Sequence, residues 1–220
     1  MVPTPRTIEQ LAQLIQTAPS STALLENFME VEGDISLQFG ETHLTSDTEF
    51  LTGFFSAYTF VLLLEEQINE ARMLAYRMPP SLYQAHPVME STLSILRAAW
   101  NEKHSLVYQT IRQTVWPDLL KDLVRSYETH FQNKTFEQLG LAYETIRPSS
   151  AACYLGIDSM SDNPTTEDVS TLAAKGWEWD PNSKLFHPKP STGLSTKKEI
   201  ERLKIGGLAS LIGGYGNRDV

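Results

Sequence analysis

A single cysteine, Cys153, stands in the 220-residue chain, which excludes an intrachain disulfide and a cysteine-based zinc centre. Such a fold holds by burial of apolar surface, and a reducing compartment fits it. Positive charge is also scarce: 18 Lys and Arg against 27 Asp and Glu leave a formal charge of −9, which argues against a grip on nucleic acid or an anionic membrane. The longest apolar run, Phe54 to Leu64, is about half of the roughly 20 residues that a membrane-spanning helix needs. It reads as a buried core helix. The opening MVPTPRTIEQLAQLIQ has no basic flank ahead of an apolar block and no small-residue cleavage site, so no secretory signal is expected. The histidines, His43, His86, His104, His130 and His187, are scattered without the close pairing that metal ligands use, so neither a metal nor a cofactor is expected.

What is present is an ordinary globular composition, 41% hydrophobic and 20% charged, in a length that suits two modules. Thr7 and Gln10 form a capping box ahead of Ile8, Leu11, Leu14 and Ile15, a one-faced helix that Pro19 and the Ser20 to Thr22 cluster interrupt. Ala23 to Glu30 predicts a short second helix, and Gly33 to Asp47 reads as loop. Ser46 and Glu49 box the start of a helix with Phe50, Leu51, Phe54, Phe55, Tyr58, Val61 and Leu62 on nearly every side, so it must be sandwiched between others. Asn69 is placed to cap the next helix, with Ala71, Leu74 and Met78 before Pro79 and Pro80, which makes an antiparallel hairpin. Pro87 suits the first turn of a helix carrying Val88, Leu93, Leu96 and Trp100. Leu106, Val107, Ile111 and Val115 define another, and Pro117 opens one with Leu120, Val124, Tyr127 and Phe131. Stacked helix pairs of this kind, none able to bury its stripe alone, predict a solenoid-like α-helical module over residues 1–133.

The pattern changes after Asn133. Thr135 and Gln138 predict a new helix, Thr145 to Arg147 a β-branched snippet, and Ser149 to Leu155 a short helix closed by Gly156. Thr165 or Thr166 caps a helix with Val169, Leu172 and Ala173 that ends at Gly176. Trp177 to Trp179 and Lys184 to His187 flank the turn residues Asp180 to Ser183 and predict two strands. Helix, strand, helix, helix, hairpin is the order of a winged helix, assigned to residues 134–190. Residues 191–220 hold a linker and a final helix with the stripe Ile200, Leu203, Leu208, Leu211 and Ile212, weakened by Gly206 and Gly207 and therefore in need of a docking partner inside or outside the chain.

Five blocks in order, NEARMLAYRMPPSL from Asn69, ILRAAWNEKHSLVYQTI from Ile95, LAYETI from Leu141, ACYLGI from Ala152 and KGWEWDPNSKLFHPKP from Lys175, carry a family likeness. Over Asp47 to Pro190 the chain resembles the family of the smallest, eighth subunit of the COP-nine signalosome, within the PCI-domain proteins, and more loosely the proteasome-lid subunit that shares the PCI module. The resemblance implies a mainly α fold: a helical-repeat (TPR-like) arm, a winged-helix subdomain with a small antiparallel sheet, and a C-terminal helix. It implies a non-catalytic scaffold in a hetero-oligomer with other PCI-domain subunits, whose sheet edges join in an arc and whose C-terminal helices gather in a bundle. The complex removes a ubiquitin-like modifier from cullins through metalloprotease chemistry on a different subunit, in cytoplasm and nucleus. A proteasome-lid subunit and a winged-helix nucleic-acid-binding regulator are the alternative readings.

The residues themselves point the same way. Cys153, between Ala152 and Tyr154 on a short core helix, is expected to be buried and inert, so no catalytic residue is assigned. The helix that would read DNA begins TTEDVSTLAAKG, which places Glu167 and Asp168 where a phosphate would sit. Trp177 and Trp179 share a face by alternation and are expected to cover the core, whereas Leu185 and Phe186 are candidates both for packing and for contact with a protein partner. For the stripe from Ile200 to Ile212, docking on its own domain and an intersubunit bundle are both open, and the resemblance favours the bundle.

Overall fold

The apolar segment of the sequence becomes the axis of the arm in a computed structural model that describes residues 3–40, 48–78, 82, 86–157 and 160–189. In chain order the arm comprises α1 (Ile8–Thr17), α2 (Ser21–Gly40), α3 (Thr48–Leu64), α4 (Ile68–Arg77), α5 (Pro87–Trp100), α6 (His104–Gln113) and most of α7 (Asp118–Ala142). Helix α3 buries every residue from Phe50 to Leu63, because α1, α2, α4, α5 and α7 all lie against it. Aromatic rings fill the joints: Phe28 meets Phe54 edge-on at 5.3 Å and stacks on Tyr58 at 5.4 Å, while Phe60 meets Trp116 edge-on at 5.4 Å. Each such ring contributes about 1.5–3 kcal/mol by leaving water.

The helix pairs repeat in their backbone. At the end of α3, Gln67 N–H donates to the Leu62 carbonyl and Glu66 N–H to that of Leu63; at the end of α5, Lys103 N–H donates to Ala98 and Glu102 N–H to Ala99. Both are Schellman turns, and both put a glutamate in the left-handed conformation, Glu66 at φ 60° and Glu102 at φ 55°. A non-glycine residue costs about 1–2 kcal/mol there. Glu66 is tied down by Lys134 of α7 at 2.8 Å, with His130 at 3.5 Å, and this lysine holds its carboxyl below the usual carboxylate range.

Helix α7 runs without a break for 25 residues, about 37 Å, past the expected boundary at Asn133. What changes there is the company kept by its side chains: Tyr127 and Phe131 pack into the arm, whereas Phe136 and Leu139 belong to a second core. That core is completed by Ile146, α8 (Pro148–Leu155), α9 (Thr166–Ala174), β1 (Glu178–Asp180) and β2 (Leu185–His187). The C-terminal stripe Ile200, Leu203, Leu208, Leu211 and Ile212 lies outside the described residues, as do His43 and Ser46.

Several expectations are corrected. The second helix does not stop at Glu30 but continues to Gly40, because Leu24, Phe28, Val31 and Ile35 keep the helical spacing and Gly33 faces open space. Thr135 starts no helix; it is buried inside α7, where local capping letters yield to the packing on both sides of it. Gln67, not Asn69, precedes α4, since the Schellman turn already sets the chain's re-entry. Val115 lies beyond α6 and is 90% exposed, and Trp100, expected in the core stripe of α5, is 43% exposed at its end. Cys153 is exposed, because α8 turns Ala151, Ala152 and Leu155 inward and leaves the opposite side to the thiol.

Candidate protein-interaction surfaces

The small sheet owes its shape to turn chemistry. Thr165 caps α9 through the Asp168 N–H, and the Asp168 carboxylate accepts from the Thr165 N–H at 3.0 Å, closing a capping box. Asp180 does the same for the hairpin: its carboxylate accepts from the backbone N–H of Asn182 at 2.9 Å and of Ser183 at 3.3 Å, and the Ser183 side chain, followed by these backbone donors, holds it below the ordinary carboxylate range. Strands β1 and β2 then pair antiparallel with Trp179 opposite Phe186.

Phe186 exchanges both its N–H and its C=O with Ile146, at 2.9 Å each. The three-rung sheet therefore runs Ile146, β2, β1, and β2 is its centre. Antiparallel bonding alternates, so Trp179 and Phe186 form a non-hydrogen-bonded pair and the Trp179 N–H and C=O point outward. No backbone group among the described residues bonds them. Among the described residues the outer side of β1 is an unpaired strand edge, the kind of backbone surface that a further strand can extend. Lys189 pairs with Glu178 beside it and holds that carboxyl low.

The two residues singled out on the hairpin part company. Phe186 is 0% exposed, packed against Trp177 and Trp179 on the central strand, with its backbone bonded to Ile146, so of its two expected roles its side chain takes the packing one in this chain. Leu185, on the opposite face of the ribbon, stays half-exposed and available. Trp177 is buried and stacks on Phe136 at 4.7 Å, and Trp179 is half-buried against Phe186, so both tryptophans face the second core as their alternation implies.

The four described histidines lie in separate places. His86 caps α5 by accepting from the Val88 N–H, His104 stands 2.8 Å from the Glu102 carbonyl, His130 faces Glu66, and His187 lies on β2. Among the described residues no cluster of His, Cys, Asp and Glu could hold a metal ion, and no helix is long and apolar enough to cross a membrane. The first turn of α9 carries Glu167 and Asp168, and Lys175 at its far end has its amine 5.2 Å from the Phe136 ring.

Exposed apolar residues mark places that sequence patterning passed over. Leu141 and Tyr143 stand out at the end of α7, near the half-buried Tyr154. On the arm, Met73, Tyr76 and Trp100 are exposed across α4 and α5. The available signal was phase: Met73 and Tyr76 fall off the Ala71, Leu74, Met78 stripe of their helix.

Comparison with known proteins agrees with this architecture. The profile of the CSN8/PSMD8/EIF3K family matches residues 49–197. The chain is 32% identical over 213 residues to COP9 signalosome complex subunit 8 of Emericella nidulans, covering 97% of this chain and 98% of that protein. It is 22% identical over 180 residues to the protein of the same name from Danio rerio, covering 79% and 91%, and 24% identical over 141 residues to that of Arabidopsis thaliana, covering 64% and 68%. With a matched profile that takes in the axis of the arm and the whole sheet, and a relative alike from end to end, the chain belongs to the CSN8/PSMD8/EIF3K family.

Proposed function

We propose that this chain is a non-catalytic scaffold subunit of the COP9 signalosome, holding other PCI-domain subunits through its sheet edge and its C-terminal segment. The observation that carries this reading is the end-to-end likeness to the Emericella nidulans subunit 8. The open edge at Trp179 supplies backbone partners for a neighbouring strand, and the half-exposed Leu185 a side-chain contact. Residues 134–190 act as a winged helix used for protein rather than nucleic acid, because Glu167 and Asp168 occupy the end of α9 that phosphate would need. Within the complex the subunit supports removal of the ubiquitin-like modifier from cullins without taking part in bond cleavage, in cytoplasm and nucleus.

The test is an affinity-tagged full chain expressed in its own cells and recovered under native conditions, with co-purifying proteins identified by mass spectrometry. Other PCI subunits in equal amounts are expected, together with an increase in modified cullin when the chain is depleted. Recovery of the chain alone, or unchanged cullin modification, would overturn the proposal. Removing residues 196–220 is expected to weaken incorporation while leaving the helical circular-dichroism signal of the rest.

A further inference from the structure

The groove between α4 and α5 on the arm has a composition unlike the rest of this acidic molecule. It is lined by the buried Leu93 and Leu96 and by the exposed rings of Trp100 and Tyr76, and it encloses about 450 Å³. The rim is charged in one sense only. Arg72 and Arg97 line it, and among the described residues no aspartate or glutamate does and neither arginine forms an ion pair with a carboxylate. In a chain with 27 acidic and 18 basic residues this is a local reversal of sign. The Arg72 guanidinium lies 3.8 Å from the centre of the Trp100 ring, which fixes both groups at the mouth of the groove.

We propose that this groove is a docking site for an acidic amphipathic helix of another protein. Apolar side chains one turn apart would seat on Leu93 and Leu96 against Trp100, and flanking carboxylates would meet Arg72 and Arg97. Tryptophan, tyrosine and arginine are the residue types that dominate interface energetics, and arginine matches the two oxygens of a carboxylate with paired donors. A helix laid in an apolar groove is the binding mode that suits paired leucines between two neighbouring helices with aromatic rings beside them. The chain's own C-terminal stripe is the wrong occupant: residues 197–204 carry Lys197, Lys198, Arg202 and Lys204 against Glu199 and Glu201, and the arginines would repel them. Two arginines are also too few to hold a phosphate backbone or a lipid surface against a net charge of −9. This site is independent of the sheet edge, so a chain that failed to recover PCI subunits could still bind here.

The test is fluorescence anisotropy with the full chain and a labelled synthetic helix of leucine, alanine and glutamate, about 16 residues or four turns long. Saturable binding is expected, weakened about tenfold or more when lysine replaces every glutamate of the peptide, and by a similar factor in Arg97→Glu or Trp100→Ala. Arg97 and Trp100 are exposed, so both variants should melt as the wild type does. A benzophenone at the central leucine of the peptide, cross-linked to the unaltered chain, should map to α4 or α5 and decides the matter even if a variant is unstable. Absence of saturable binding, equal binding of the lysine peptide, or cross-links elsewhere would overturn the proposal. So would sedimentation with phosphatidylserine vesicles, binding to duplex DNA, or self-association lost in Trp100→Ala, each of which gives the groove a different occupant.

Discussion

In the arm one helix, α3, hides an unbroken run from Phe50 to Leu63 among five neighbours. The C-terminal subdomain instead gathers, among its described residues, ten buried apolar side chains from the end of α7 and several short elements, and orients them with a capping box, a carboxylate-tied hairpin turn and a left-handed glycine. The first region is specified by volume and the second by backbone geometry. Deleting apolar volume should therefore hurt the arm most, whereas adding a single atom at a turn should hurt the subdomain most.

The largest effect is expected from Phe54→Ala, whose ring touches Phe28, Phe50, Phe55 and Tyr58. A cost of about 3–5 kcal/mol is anticipated in urea unfolding. A loss below about 1 kcal/mol would mean that the arm is not held by its packed axis. Next comes Gly156→Ala. Gly156 sits at φ 65°, and an added Cβ would stand 2.4 Å from Cγ of Tyr108, so strain and overlap together should cost about 2–4 kcal/mol. Hydrogen exchange should show amides of 146–187 losing protection while those of α3 keep theirs; uniform loss would erase the distinction between the regions.

The smallest effect concerns Glu66, where the two regions are joined through Lys134. Its carboxyl is held low in the folded chain, so its contribution is present above the unfolded value of about 4.3 and is lost as pH falls through the lower folded value. Glu66→Gln should cost less than about 1 kcal/mol at neutral pH, as half-exposed pairs do, and should flatten the acid limb of the stability profile. An unchanged acid limb would show that the pair carries no linkage.

How far the letters reveal this molecule depends on which physical level set each feature. The all-round apolar pattern of α3 and the αL glycine ending α8 were legible, since hydrophobic periodicity and φ above zero each leave a residue signature. The hairpin was legible through Asp180 to Ser183 for the same reason. The passage of α7 through Asn133 was not, because Thr135 and Gln138 satisfy a local capping rule that the two cores on either side override. Nor was the fate of Phe186, since alternation gives relative facing within a ribbon but not which strand lies at the centre of the sheet. The groove was missed because Trp100 follows the helical period of α5 and is exposed only by where that helix ends.

The uninterrupted course of α7 bears on how the protein can be divided in the laboratory. A recombinant fragment ending at Asn133, where composition invites the cut, would sever a rod between Phe131 and Phe136 and leave each half with a frayed end and a bared aromatic surface. Soluble pieces should instead carry the whole of α7, which only one of the two halves can own.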